Sequence, residues 1–169
     1  MERRNGSGEQ SGRAILRRIG DGPARNSTAV AALVDTNILV YSFDPRFPEK
    51  RRIATALLRK GILEDNIRVP HQAIAEFVAA VTRPLPSGGS VLSAEEARRQ
   101  AEEFLSEFVV LYPNETIVRT ALRGSAAYRL EWFDAHLWAY AEYYGLPELF
   151  SEDFQDGRMY GTVRAVNPF

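Results

Sequence analysis

The chain contains no cysteine and only two histidines, His71 and His136, which stand far apart. Disulfide bonds and thiolate zinc sites are therefore excluded, and a histidine-based metal site is disfavoured. No apolar run approaches the length of a membrane span, and the arginine-rich first twenty residues lack the apolar centre of a secretory signal. Because the lack of cysteine also fits a reducing compartment, we expect a cytoplasmic protein without a membrane partner.

An excess of positive charge is missing as well, since the net charge is −1. Residues 1–27 carry six arginines against three acids, and the rest of the chain carries 15 basic and 19 acidic residues. A protein that binds nucleic acid through charge alone is normally basic. If this chain handles a polyanion, it must neutralise part of its own acid, and bound divalent cations would do so.

The pattern of apolar residues predicts the domain organisation. Residues 1–28 are rich in Gly, Ser, Arg and Asn and have no sustained apolar period, which predicts a disordered N-terminal arm ahead of a folded domain over residues 29–169. In that domain, short apolar strands alternate with helices. This alternation predicts an α/β fold, a three-layer α/β/α sandwich with a central parallel sheet of four to five short strands.

Particular residues predict where helices begin and end. Ser93 followed by Glu96 has the pattern of a capping box, and Asn114 precedes another apolar helical stretch. Glycines at helix ends favour the left-handed backbone there. On that ground Gly61 is predicted to end the helix that follows Pro48.

Four carboxylates stand at positions that favour a shared site. Asp35 and Asp153 each follow a predicted strand, where ligands collect in open α/β sheets. Asp134 begins a predicted helix, and Glu76 lies in the otherwise apolar stretch AIAEFVAAV. A structural role is also open for each residue taken alone: a helix cap for Asp35 and Asp134, a solvated helix face for Glu76 and a polar loop for Asp153.

The joint pattern is more informative than any one acid. Four like charges in one cleft would repel one another at neutral pH unless they were protonated or bound cations. Carboxylate oxygens suit Mg²⁺ or Mn²⁺, and one or two such ions can activate water and stabilise the leaving oxygen of a phosphodiester. The four acids therefore indicate a metal-dependent hydrolase of phosphodiesters.

Four blocks of the sequence resemble PIN-domain ribonucleases of the VapC type, the toxins of type II toxin–antitoxin systems. The family's motifs are matched in order and spacing by LVDTNILVYSFD (33–44), AEFVAAVTRP (75–84), WFDAHLWAYAEYYG (132–145) and LFSEDFQDGRMYGTVRAVNPF (149–169). Each block alone is weak, whereas the set is fairly specific and covers the chain from about residue 30. The third block departs from the family by reading Phe-Asp where relatives often have Trp-Asp, and the N-terminal arm is atypically long.

The resemblance implies a PIN-like sandwich and an endoribonuclease that uses one or two Mg²⁺ or Mn²⁺ ions and leaves a 5′-phosphate and a 3′-hydroxyl. It also implies RNA as the substrate, a cognate antitoxin protein as a partner and a homodimer. The catalytic and metal-binding acids would be Asp35, Glu76, Asp134 and Asp153. Supporting roles would fall to Thr36, Asn37, Ser151, Glu152 and Asp156.

Basic and aromatic side chains could extend the substrate site. Five arginines are candidate phosphate contacts, although solvated surface charge explains any one of them better: Arg46, Arg51, Arg52, Arg83 and Arg158. Five aromatic residues could stack on bases or form a dimer face, with core packing the better explanation for most: Tyr41, Phe43, Tyr140, Tyr143 and Tyr144.

Three other functions remain open. A phosphatase with an aspartyl nucleophile typically carries a second Asp two residues after the first, where this chain has Asn37. A non-catalytic PIN-like module that binds RNA or protein would usually have lost one or more of the four acids. A nuclease directed at DNA is compatible with all of these residues.

Overall fold

The computed structural model describes residues 30–169, in which six strands form one sheet flanked by helices. The predicted arm over residues 1–28 lies outside the described residues. In chain order the elements are β1 (Ala32–Val34), α1 (Thr36–Tyr41), α2 (Pro48–Glu64), β2 (Ile67–Pro70), α3 (His71–Val81), α4 (Ala94–Glu107), β3 (Val109–Leu111), α5 (Glu115–Tyr128), α6 (Trp132–Tyr144), β4 (Glu148–Phe150), β5 (Met159–Tyr160) and β6 (Val163–Val166). None of the helices in this part of the chain is long and apolar enough to span a membrane.

The sheet confirms the predicted α/β sandwich. Its strand order is β3-β2-β1-β4-β6-β5, and every neighbouring pair is parallel except β5 with β6. The antiparallel β5 was not predicted, because its two residues follow a polar stretch without an apolar run. Strands β2 and β3 follow β1 on one side of the sheet, and β4, β6 and β5 lie on its other side. The strand order therefore reverses between β1 and β4. In open α/β sheets, ligands bind in the crevice at such a reversal.

Helices cover both faces of the sheet, and each face has its own apolar core. On one face α5 and α6 pack over Leu33 and Leu149, and on the other face the cluster around α1 to α4 contains Val34 and Val69. Leu33 and Val34 point to opposite faces because successive side chains of a strand alternate. Strands that are covered on both sides are rich in apolar residues, which is why they were recognisable in the sequence.

The predicted helix starts are confirmed. Ser93 accepts a hydrogen bond from the backbone N–H of Glu96, whose side chain accepts one from the backbone N–H of Ser93, so α4 begins with a full capping box. Asn114 caps α5 by accepting from the backbone N–H of Ile117. These side chains satisfy amides that the first turn of a helix leaves without partners.

The predicted helix end at Gly61 is wrong. The α2 helix continues to Glu64 and ends at Asp65, which has the left-handed backbone with φ of 49°. Gly61 is instead buried against β2, where an added Cβ would lie 2.5 Å from the side chain of Ile67. The glycine therefore allows a close approach between a helix and a strand.

Gly124 provides a test of the packing between α5 and α6. A Cβ at this position would lie 2.2 Å from the Trp138 ring. In an exposed helix interior, glycine-to-alanine substitution stabilises by about 1 kcal/mol. Here we expect Gly124→Ala to lower the free energy of unfolding by about 2 kcal/mol, because the methyl group must displace a buried indole. Denaturant unfolding of the two proteins measures the difference, and an unchanged or higher free energy would contradict the tight contact.

Candidate active site

A cleft of about 330 Å³ opens where the strand order reverses. Asp35 directly follows β1 and Asp153 follows β4, the neighbouring strand, so both lie at the same edge of the sheet. The α3 helix contributes Glu76, and the first turn of α6 contributes Asp134. All four acids singled out in the sequence line this one cleft.

Asp35 is buried and held by three hydrogen bonds. Its Oδ1 accepts from the backbone N–H of Thr36 at 2.5 Å, which caps α1. Its Oδ2 accepts from the hydroxyl of Ser151 at 2.6 Å and from Nδ2 of Asn37 at 2.9 Å. The helix-capping role considered for Asp35 is therefore real, and it fixes the carboxylate at the mouth of the cleft.

Asn37 joins Asp35 to Asp153. Its Nδ2 lies 2.9 Å from Asp35 Oδ2 and 3.1 Å from Asp153 Oδ2. The hydroxyl oxygen of Ser151 accepts from the backbone N–H of Asp153 at 3.0 Å. Neutral groups thus hold the two acids in place without cancelling their charge. The Oδ1 atom of Asn37 is buried and has no hydrogen-bond partner among the described residues.

Glu76 accepts hydrogen bonds from two side chains, and one of these, Gln72, was not predicted as a site residue. Thr36 Oγ1 donates to Oε2 at 2.8 Å, and Gln72 Nε2 donates to Oε1 at 2.9 Å. Gln72 Nε2 also donates to the carbonyl of Phe133 at 3.2 Å, so its Oε1 faces Nδ1 of His136 at 2.6 Å as an acceptor. His136 therefore donates from Nδ1. The one signal in the sequence was the spacing of Gln72, one helical turn before Glu76.

The acids lie close enough to perturb one another's ionisation. Burial raises the pKa of Asp35 to about 7, against the lowering effect of the hydrogen bond from Ser151, and the charge of Asp153 raises it as well. Burial, followed by the charge of Asp153 and other nearby acids, raises the pKa of Asp134 to about 6. Burial and, to a smaller extent, mutual repulsion therefore disfavour the ionised forms of these acids, and bound protons or cations are favoured there.

Glu152 and Asp156, the two secondary candidates, are engaged outside this group of acids. Glu152 accepts a hydrogen bond from the Tyr41 hydroxyl at 2.5 Å and forms an ion pair with Lys50. Asp156 accepts from the backbone N–H of Asn167 at 2.9 Å. Both carboxylates thereby hold the chain that follows β4 in place.

The remaining candidates divide between surface, core and cleft. Arg52 pairs with an acid on its own helix, Arg158 lies over the ring of Tyr160, and Arg46 is the one candidate arginine that lines the cleft. Tyr140, on α6, is buried in the core cluster that contains Leu33 and Leu149, which agrees with core packing.

The residues at which the third block departs from the family lie on the surface beside Asp134. Trp132 and Phe133 are both exposed, and the Trp132 ring stacks on His136 at 5.9 Å between centroids. Asp134 still lines the cleft. The unusual Phe-Asp order therefore leaves the acid in position.

A model of the PIN domain family matches residues 32–158. The chain belongs to the PIN domain family. Among curated proteins, none matches this chain.

Solved structures share the fold of this PIN domain. A toxin–antitoxin complex from Klebsiella pneumoniae is 20% identical with a TM-score of 0.58, over 82% of this chain and 98% of that chain. DNA-bound VapBC from Salmonella typhimurium is 13% identical with a TM-score of 0.60, over 80% and 96%. VapC20 from Mycobacterium tuberculosis, a toxin that cleaves the sarcin-ricin loop, is 12% identical with a TM-score of 0.51, over 70% and 87%. At these identities the likeness establishes the fold alone.

The donors of this PIN domain fit a hard divalent cation. They are carboxylate oxygens, which Mg²⁺ and Mn²⁺ prefer. Burial, the main cause of the raised pKa values of Asp35 and Asp134, and the charge of Asp153 both disfavour the ionised carboxylates, which a bound cation would stabilise. Within residues 30–169, no three or more His, Cys, Asp or Glu side chains form a group that could hold a metal ion. Mg²⁺ commonly keeps several waters and takes one or two carboxylates together with substrate phosphates, so a partial shell suits it.

Ser151 is expected to tune the ionisation of Asp35 in this PIN domain. Its hydrogen bond lowers a pKa that burial raises to about 7. In Ser151→Ala that bond is lost, so Asp35 keeps its proton to a higher pH. We expect Mg²⁺ affinity to fall about tenfold near pH 7 and less above pH 8, because a protonated carboxyl group is a poor ligand.

Calorimetric titration of Mg²⁺ at both pH values measures this effect. Ser90→Ala is a matched control, since Ser90 donates to the carbonyl of Leu92 and does not line the cleft. An equal loss of affinity at both pH values would contradict a role through ionisation.

Proposed function

We propose that this PIN domain is a metal-dependent endoribonuclease, the toxin of a toxin–antitoxin pair acting on RNA in the cytoplasm. The observation that carries the proposal is the meeting of Asp35, Glu76, Asp134 and Asp153 around one cleft at the strand reversal. An acidic cleft without bound cations would repel RNA. The arrangement makes chemical sense when cations complete it.

The four acids would hold one or two Mg²⁺ or Mn²⁺ ions. When bound, such ions lower the pKa of a coordinated water and stabilise negative charge on phosphate oxygens. The chain's own contribution is to fix the acids before substrate arrives. Asn37 and Ser151 orient Asp35 and Asp153, and Thr36 and Gln72 orient Glu76. Side chains that orient ligands in this way typically change activity tenfold to a hundredfold when removed.

The proposed reaction is in-line attack of water on phosphorus. The new bond joins the water oxygen to phosphorus, and the bond from phosphorus to the 3′-oxygen breaks. The leaving 3′-oxygen takes up a proton, so the products carry a 5′-phosphate and a 3′-hydroxyl. No covalent intermediate with the protein is required.

Similar structures support a protein partner. Several of them are toxin–antitoxin complexes, and one toxin is described by its cleavage of the sarcin-ricin loop. We propose by analogy that a cognate antitoxin neutralises this chain. The proposed homodimer rests on the sequence resemblance alone.

The test uses purified full-length chain from which any co-purified protein has been removed. It is incubated with tRNA, mRNA and single-stranded DNA, each with Mg²⁺, Mn²⁺ or EDTA, and the ends of the products are mapped. We expect discrete RNA cleavage that requires a cation and leaves 5′-phosphates. Cleavage of DNA alone would establish the DNA-directed alternative, and binding of RNA without cleavage would establish the binding module.

A further inference from the structure

One cationic side chain faces the cleft, and the fold clamps it in place. Of the described residues that line the cleft, Arg46 alone is basic. Its Nε lies 2.9 Å from Oδ1 of Asp44, and its Nη2 lies 2.6 Å from Oδ2. The backbone N–H of Arg46 also donates to Oδ1 of Asp44 at 3.0 Å. The guanidinium therefore has a fixed position at the edge of the acids.

The two partners of this clamp differ sharply in exposure. The side chain of Asp44 is 1% exposed, whereas that of Arg46 is 48% exposed. The hydrogen bonds from Arg46 hold the pKa of Asp44 below its ordinary value, which keeps the buried carboxylate charged. A buried charge is costly unless it is paired. The buried Asp44 carboxylate therefore holds the Arg46 guanidinium in place and is itself not available to other ligands.

The outer edge of the Arg46 guanidinium is open. Asp44 occupies Nε and Nη2, and among the described residues nothing accepts a hydrogen bond from Nη1. An arginine with free N–H groups on one edge matches the oxygen atoms of a phosphate. The Phe47 ring lines the same cleft, and the guanidinium carbon of Arg46 lies over it at 5.6 Å, which further fixes the position of the guanidinium.

We propose that Arg46, clamped by Asp44, is a phosphate-binding subsite that positions the RNA backbone beside the four acids. This inference rests on the proposed function, since it names how that site holds its substrate. The bound phosphate is a neighbour of the one that is cleaved. Arg46 thus positions the substrate. Its hydrogen bonds to Asp44 prevent the guanidinium from pairing with the four acids when no substrate is present.

The experiment measures RNA binding separately from cleavage. Arg46→Gln and Arg46→Lys are made in the Asp35→Asn background, and a labelled single-stranded RNA of mixed sequence is titrated by fluorescence anisotropy with Mg²⁺ over a range of KCl. The matched control is Arg119→Gln in the same background. Arg119 pairs through Nε and Nη2 with Glu115 on α5, is exposed and does not line the cleft.

Arg46→Gln is expected to weaken RNA binding about tenfold, the effect of losing one charge-assisted contact. The slope of log Kd against log salt should become shallower by about 0.7, the value for one phosphate contact on a single strand. Arg46→Lys should keep the salt slope and lose part of the RNA affinity, because a compact ammonium charge replaces the planar guanidinium with its several N–H donors. In an otherwise wild-type chain, Arg46→Gln should raise KM about tenfold and change kcat little, which a merely structural role would not produce.

Two results would overturn the subsite: equal effects of Arg46→Gln and Arg119→Gln, or an unchanged slope in Arg46→Gln. If Arg46→Gln does not fold, Arg46→Lys provides the test. Unchanged RNA affinity in Arg46→Lys would contradict phosphate binding by the planar guanidinium, and weaker affinity with the same salt slope would support it. Binding that depends on Arg46 without any cleavage by the wild type would refute the nuclease and retain the subsite.

Discussion

Asp35→Asn is expected to lose RNA cleavage by about a thousandfold or more while folding at least as stably as the wild type. The amide matches the shape of the carboxylate, but it is a weak ligand for a divalent cation. The fold should not suffer, because burial raises the pKa of Asp35 to about 7 and its negative charge is therefore costly to the folded state above that pH. Single-turnover cleavage and thermal unfolding measure the two effects.

Asp65→Asn is the matched control for this substitution. It makes the same chemical change at an exposed residue that ends α2 and pairs with Arg68. Asn tolerates the left-handed backbone found there, so this variant should fold and cleave as the wild type does. Cleavage by Asp35→Asn within a few-fold of the wild type would refute the catalytic role of Asp35 even if the chain proved to be a ribonuclease.

Most of the fold could be predicted because its signals are local. Strands covered on both faces are mostly apolar, and Ser93 with Glu96 forms its capping box within one helical turn. Gly61 shows where local reasoning stops. A glycine that ends a helix and a glycine that admits a neighbour look alike in sequence, and the difference lies in Ile67, which only the packing of α2 on β2 reveals.

The candidate site divides in the same way. Strand ends could be predicted, and with them the positions of Asp35 and Asp153 at one edge of the sheet. The link between Gln72 and His136 could not, because 64 residues separate two side chains that have no motif in common. Closeness in sequence also does not imply a shared contact after β4. Asp156 stands three residues from Asp153, yet it bonds to the backbone of Asn167.

The contact between Asp44 and Arg46 is close in sequence, yet its significance could not be predicted. The two residues are two apart, so their contact is local, but the sequence indicated Arg46 only as one of five candidate phosphate contacts. What makes the pair informative is that Asp44 is buried and that the guanidinium faces an acidic cleft. Burial and direction are properties of the tertiary structure, which sequence spacing does not encode.

Without a divalent cation, the wild type is expected to become less stable as pH rises from about 4 to 8. The pKa of Asp35 is about 7 in the folded state against an ordinary 3.8, so between these values the folded protein holds a proton that the unfolded chain has released. The free energy of unfolding then falls with rising pH, by about 4 kcal/mol for the full shift. The raised pKa of Asp134 acts in the same direction.

Mg²⁺ should reverse this loss, and more strongly at high pH than at low pH. The cation binds the deprotonated acids of the folded state, and ligands that bind only the folded state stabilise it. Thermal unfolding near pH 5 and pH 8, each with Mg²⁺ or EDTA, measures the effect in the wild type and in Asp35→Asn. In the variant both the fall in stability with pH and the gain from Mg²⁺ should shrink.

The comparison with Asp35→Asn removes a competing contribution. Burial lowers the pKa of His136, so this residue makes the folded state more stable as pH rises toward its ordinary value, the opposite sense to Asp35. His136 is present in both proteins, and its contribution cancels in the difference between them. A gain from Mg²⁺ that was equal at both pH values, or that persisted in Asp35→Asn, would place the cation somewhere other than on Asp35.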